Sequence, residues 1–330
     1  MNEVNPPAEE LQESQPIEIA QELSFIERHG ISPVLFGFLS LIFVFISYQL
    51  VGGLLSILAT GGIKALINFS DYSKNMNVSK MRVVTGLGQV IFIFLPTLFL
   101  VRLATKTPKD YLRLRLPSPS VFIFPMIGIF SLQQLLQIYM IAQEKIPLPE
   151  RVVHFINQFK ELLEQTYKML VISNSIPELL FVILVVALIP AFVEELLFRG
   201  LVQRSFENGL TPMKGVLLTG IIFGVYHLNP FAFIPLALLG MYLGFLTLRA
   251  NSVWVSVVAH FLNNAGASLA MYLHLDEDAI VTGDPNAMSF KILAMTFFFF
   301  GILFFGSTYF FIRLTENKSI IQTTERDFVE

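Results

Sequence analysis

The chain contains no cysteine. That excludes disulfides, thiolate nucleophiles, Cys-ligated zinc and lipidation at cysteine together. Charge is also scarce: Asp, Glu, Lys and Arg make up 14% of the 330 residues, where a soluble domain carries about 25%. The net charge of −3 and the lack of a basic block leave no electrostatic footprint for nucleic acid. No Walker loop, no dinucleotide-binding glycine turn, no His-Glu-x-x-His and no evident Ser–His–Asp arrangement is present. The first thirty residues lack an apolar run; they hold seven Glu and a single basic residue, Arg28. They do not read as a signal peptide, so an acidic mobile tail is expected, with the first span acting as an uncleaved insertion signal.

What the chain has in quantity is apolar sequence: 54% hydrophobic, 33 of the residues Phe, mean hydropathy +0.65. A bilayer core about 30 Å thick needs roughly 20 apolar residues per helix. Eight continuously apolar spans meet or approach this, near 33–59, 83–104, 120–143, 177–207, 212–228, 231–249, 253–273 and 290–313. Their continuity favours helices over a barrel, whose strands would alternate. The expected fold is therefore all-α, a polytopic membrane helix bundle of about eight transmembrane helices. The chain divides into an acidic tail (1–30), three N-terminal spans (31–143), a loop with an amphipathic helix (144–176), a core of spans four to seven (177–273), a loop with the last span (274–313) and a C-terminal tail (314–330). Lys and Arg cluster after span two, recur between spans four and five, and Arg249 follows span six, whereas 274–289 holds four acids and no Lys or Arg. By the positive-inside bias both termini are expected in the cytoplasm, with Lys64, Lys74, Lys80 and Arg82 running against that assignment. The Phe-rich run Phe297 to Phe300 is expected to face lipid.

Charges at mid-bilayer cost roughly 2.5–3.5 kcal/mol each, so they persist where they face a bundle interior and have partners or a task. Span four carries Glu194, Glu195, Arg199 and Gly200; span five Phe223 and His227; span seven His260, Asn263 and Asn264. Adjacent helical residues point about 100° apart, so the two glutamates cannot share one job. Glu195 and Arg199 are four apart with the acid N-terminal, the favoured order for an ion pair. Arg199 is expected to neutralise Glu195 and leave Glu194 free for chemistry. Asn208-Gly209 reads as a helix stop, Thr211 as an N-cap and Pro212 as a first helical residue. From a hairpin tip there, Glu194 and His227 both lie roughly 23–26 Å away, at matching depth. His260 and Asn264 share a face of span seven, with Asn263 pointing elsewhere.

One free carboxylate, two imidazoles and a carboxamide support two chemistries. In the first, Glu194 with His227 deprotonates a water for attack on a peptide carbonyl. His260 and Asn264 then offer N–H donors to the oxyanion. In the second, Glu194, His227 and His260 hold a catalytic zinc. These ligands would come from three helices without an obvious second-shell carboxylate in sequence, so the metal-free scheme, with no cofactor required, is preferred over Zn²⁺. Buried Glu and His also occur in proton-coupled transporters, and Pro190 lies one turn before Glu194, so a non-hydrolytic membrane protein is the competing class.

At these residues the chain resembles the CAAX protease and bacteriocin-processing family, membrane peptidases that include the type II prenyl-protein endopeptidases. Glu-Glu-x-x-x-Arg matches Glu194, Glu195 and Arg199; Phe-x-x-x-His matches Phe223 and His227; His-x-x-x-Asn matches His260 and Asn264. Each motif is short, but all three fall in order on apolar helices, within roughly 175–272. The resemblance implies a membrane endopeptidase in which Glu194 and His227 activate water and His260 and Asn264 support the oxyanion. It implies as substrate a membrane-associated protein or peptide, met in the lipid bilayer, and the short loops with the acidic, signal-less N-terminus lead us to expect a bacterial plasma membrane. Relatives that act in bacteriocin immunity or as scaffolds keep a non-hydrolytic role open. The oligomeric state and the cleavage site are not set by these motifs.

Overall fold

A computed structural model describes residues 23–67, 77–147, 149–275 and 290–327. Most of the acidic tail and the acidic loop after span seven lie outside the described residues. Among those residues the structure is helical without strands. The helices are α1 (Pro33–Ile63), α2 (Val78–Ala104), α3 (Ser120–Glu144), α4 (Glu150–Val171), α5 (Ile176–Gly209), α6 (Pro212–Tyr226), α7 (Phe233–Ala250), α8 (Val253–Tyr272) and α9 (Phe290–Asp327). Six of them (α1, α2, α3, α5, α7 and most of α9) are long and apolar enough to cross a membrane. The two remaining positions on the expected list of spans are filled by α6 and α8. α8 carries Ser256, His260, Asn263, Asn264 and Ser268, which lower its hydropathy, and it packs among α3, α5 and α7. α6 has only 15 residues, about 22 Å, too short for a bilayer core. The final helix runs on to Asp327, so the segment expected as a tail from 314 is helical through that residue.

Outward faces are apolar, as a lipid solvent requires. Phe297, Phe298 and Phe299 are all exposed on α9, the face expected for the Phe-rich run. The buried charged residues Glu195, Arg199 and Glu207 all lie on α5. Three of the helices contain π-turns: 46–52 in α1, 90–94 in α2, and 184–188 and 196–202 in α5. A π-turn inserts an extra residue and shifts the side-chain face, and such turns recur at functional sites. The last two bracket Glu194 and Glu195.

The α5–α6 hairpin turns at Leu210. Thr211 accepts from Lys214 N as N-cap and Pro212 occupies the first turn of α6. α6 and α7 then pack closely through glycines. A side chain at Gly220 would meet Met241 N at 2.7 Å, and one at Gly240 would meet Gly220 Cα at 3.0 Å. Small residues let the two backbones approach, the usual device between apolar helices in lipid.

The amphipathic segment forms α4, and Arg82 ties its C-terminal end to the bundle. Arg82 donates to Leu170 O at 2.8 Å, Met169 O at 3.4 Å and Ile172 O, and pairs with Glu178 Oε1 at 2.7 Å. A guanidinium thus satisfies carbonyls that a helix end leaves open. Glu178 in turn accepts from Asn174 N at 2.8 Å. Arg82→Met is expected to cost about 1–3 kcal/mol, because three carbonyls lose their donor together while Glu178 stays partly open to solvent. Limited proteolysis should then cut between 145 and 175 faster than in wild type; unchanged cleavage there would mean that the clamp is dispensable.

Candidate functional site

Glu194 and Glu195 sit mid-way along α5 and take different surroundings. Glu195 is wholly buried, and its Oε1 accepts from Arg199 Nη1 at 2.8 Å and from His260 Nδ1 at 2.9 Å. Arg199, equally buried, sends Nη2 to Gly240 O at 3.1 Å. Its guanidinium carbon lies 4.6 Å from the centre of the Phe223 ring, a cation–π contact in a desolvated setting. The ion pair therefore has its charges, one carbonyl and one ring arranged around it, which is what makes a buried pair tolerable. Gly200 has a packing role: a side chain there would meet Leu112 Cδ2 at 2.5 Å.

Because Glu195 Oε1 also takes the Arg199 donor, it acts as an acceptor toward His260. Nδ1 of His260 then carries the hydrogen, and Nε2 is the atom left for other partners. The spacing of His260 and Asn264 points to a pair of oxyanion donors. The structure engages Nδ1 of His260 with the second glutamate, an interaction that joins α8 to α5 over 65 positions of sequence, and leaves Nε2 for that task. No spacing rule on a single helix reports such a bond.

Glu194 is partly buried, and its Oε2 has no solvent contact and no hydrogen-bond partner. Glu195 Oε2 is also without a partner, yet that carboxylate is already held twice through Oε1. Glu194 is thus the carboxylate not used by the buried ion pair. His227 caps the C-terminus of α6 and is exposed, with Nδ1 2.7 Å from Phe223 O. Its Nε2 is not held by that bond. Among the described residues no hydrogen bond joins Glu194 to His227. The sequence placed His227 inside a span ending near 228; the helix ends one residue before it. Leu228 then takes a left-handed φ of 51°, and Asn229 Oδ1 accepts from Phe231 N and Ala232 N to close the turn into α7.

Phe223 lies among the site residues. Its ring centre is 4.5 Å from that of His227, 6.0 Å from that of His260 and 5.1 Å from that of Phe198. It is fully buried, so it fixes both imidazoles against one rigid plate. Asn264 Nδ2 donates to Val186 O at 3.4 Å, and its Oδ1 accepts from Asn263 Nδ2 at 3.1 Å. Asn263 was expected to point away; it orients the Asn264 amide instead. Neighbouring side chains on a helix diverge, but a carboxamide is long enough to reach back.

Among the described residues no three His, Asp or Glu side chains converge as a metal cluster. In both imidazoles Nδ1 is engaged by a protein oxygen, which leaves Nε2 as the atom through which His227 or His260 would meet a metal beside Glu194, and no step below passes through a metal.

Residues 176–266 match the family model described as Type II CAAX prenyl endopeptidase Rce1-like. The matched stretch runs from the start of α5 into α8 and holds every residue of the three motifs. A match of this kind points to an intramembrane endopeptidase of CAAX-protease type. No curated protein and no solved structure matches the chain.

Proposed function

We propose that this chain is a membrane endopeptidase that hydrolyses a peptide bond of a membrane-associated protein or peptide. The observation that carries the proposal is the split between the two glutamates. Glu195 is consumed by Arg199 and His260, while Glu194 keeps a buried oxygen without a partner. A carboxylate oxygen held out of water without a partner is costly, and retaining one is expected where the group has a reaction to perform.

In the proposed reaction Glu194, assisted by His227, takes a proton from water. The hydroxide forms a bond to the scissile carbonyl carbon, and the carbonyl oxygen becomes an oxyanion. Asn264 Nδ2 and His260 Nε2, when protonated, stabilise that charge. Glu195 supports the protonated imidazole through Nδ1, so it acts as the positioning residue for His260. The C–N bond then breaks, and the proton held by Glu194 passes to the leaving amine. No cofactor is required by this scheme. The sidedness of the basic loops favours cytoplasmic termini, and the short connections favour a bacterial plasma membrane.

The test compares protein N-termini in host membranes carrying wild type or Glu194→Gln, by mass spectrometry. Termini present only with wild type are expected, and they name the substrates. Identical sets of termini, with both proteins folded and equally abundant, would transfer the function to binding or transport.

A further inference from the structure

Glu194 faces more than the residues of the matched segment. Tyr48 from the π-turn of α1 and Tyr226 from the end of α6 pack against the core that holds Val193 and Leu196, the residues flanking the two glutamates on α5, with the Tyr48 ring against α2 at Gly88, and both hydroxyls lie within the field of the Glu194 carboxylate. Gln89, at the entrance to the π-turn of α2, lies beside the Tyr48 hydroxyl. The packing holds these groups in place. The Tyr226 ring is edge-on to Phe45 of α1 at 5.4 Å and to Phe198 of α5 at 5.2 Å. The π-turns of α1 and α2 touch each other, and that of α2 touches α5 beside Glu194.

The hydrogen bonding here is unmet on several sides at once. Glu194 Oε2, Tyr226 Oη and Gln89 Oε1 are each buried without a partner. They come from three different helices, and Tyr48 adds a fourth. A single buried orphan is often a packing accident, but several on helices that pack together leave a set of unmet polar groups in an apolar bundle. A buried water needs two to four such partners. Here the acceptors are a carboxylate and an amide oxygen, and the donors are two phenols and an amide nitrogen. That set can satisfy both hydrogens and both lone pairs of one water.

We infer that Tyr48, Gln89 and Tyr226 are positioning residues that hold the attacking water against Glu194. The inference rests on reading Glu194 as the working carboxylate. Tyr48 and Gln89 lie outside residues 176–266. The site is therefore composite, and α1 and α2 are part of its machinery as well as its scaffold. Tyr226 directly precedes His227, so one turn of α6 supplies both a water-holding hydroxyl and the assisting imidazole.

The test uses the full chain reconstituted in lipid, with Tyr48→Phe, Tyr226→Phe and Gln89→Leu. Phenylalanine keeps both ring contacts and removes only the hydroxyl. Infrared difference spectroscopy assigns the Glu194 carboxyl band as the one lost in Glu194→Gln. That band is expected to shift in Tyr48→Phe and Tyr226→Phe, a change that loss of packing elsewhere would not produce. On the substrates found by the comparison of N-termini, kcat is expected to fall about tenfold for each hydroxyl removed, one hydrogen bond to a charged group, with KM unchanged. A band unmoved in both phenylalanine variants, or kcat held at the wild-type value, overturns the inference. If wild type and Glu194→Gln give identical N-termini, the peptidase reading fails by itself. The infrared band then still decides whether these side chains bind Glu194.

Discussion

Glu194→Gln is expected to reduce cleavage about a thousandfold while leaving the bundle at least as stable as wild type, whereas Glu195→Gln is expected to lower both activity and stability. The two residues are adjacent and chemically identical, so the contrast isolates environment. Glutamine at 194 keeps the volume and a hydrogen-bonding oxygen but cannot accept a proton from water. A general base contributes about 10²–10⁴ in rate, which sets the size of the loss. Stability should hold or rise, because Glu194 Oε2 has no partner to lose and a buried unpaired carboxylate oxygen is costly. At 195 the same substitution leaves the Arg199 cation wholly buried without its counter-charge, and takes from His260 Nδ1 the acceptor at 2.9 Å. Thermal unfolding in detergent, together with cleavage of the identified substrates, reads both quantities. Cleavage by Glu194→Gln within a few-fold of wild type would remove Glu194 from the chemistry. A melting temperature for Glu195→Gln equal to wild type would mean that the ion pair adds nothing.

The parts of this protein that were legible in its sequence are those governed by local rules. The hairpin between α5 and α6 could be placed at Thr211-Pro212 because capping chemistry is written in consecutive residues. Arg199 could be assigned to Glu195 because residues four apart on a helix face each other. The length of α6 was harder to read. Apolar sequence continues past Tyr226, so hydropathy carries the helix through His227, but the backbone turns at Leu228. α8 was legible as a helix at 253–273 although its polar residues, which depress its hydropathy, keep it off the set of helices apolar enough to cross a membrane. The π-turns leave no pattern in composition. Nor do Tyr48, set between Ser47 and Gln49 in an otherwise apolar span, and Gln89, a polar residue before an apolar run, until the fold brings α1 and α2 against α5. The same reason hid the Glu195–His260 bond, which exists only because α5 and α8 pack side by side.

Arg199→Met is expected to destabilise the chain by about 3–5 kcal/mol, the penalty for leaving one partner of a buried pair uncompensated. Arg199 is fully buried, and its removal deletes the 2.8 Å bond to Glu195, the 3.1 Å bond to Gly240 O and the contact with the Phe223 ring. Most of the cost should come from the stranded Glu195 charge, since methionine fills much of the vacated volume. The double variant Glu195→Gln/Arg199→Met removes both charges together. It is expected to recover most of the stability, because replacing a buried pair by groups of similar volume is close to neutral. Activity should not return with it. His260 Nδ1 would face a neutral amide, which supports a protonated imidazole far less well than a carboxylate does. A double variant as unstable as Arg199→Met would show that shape and the Gly240 and Phe223 contacts outweigh the charge. One that regained both stability and kcat would separate the ion pair from catalysis and leave His260 positioned by its packing against Phe223 alone.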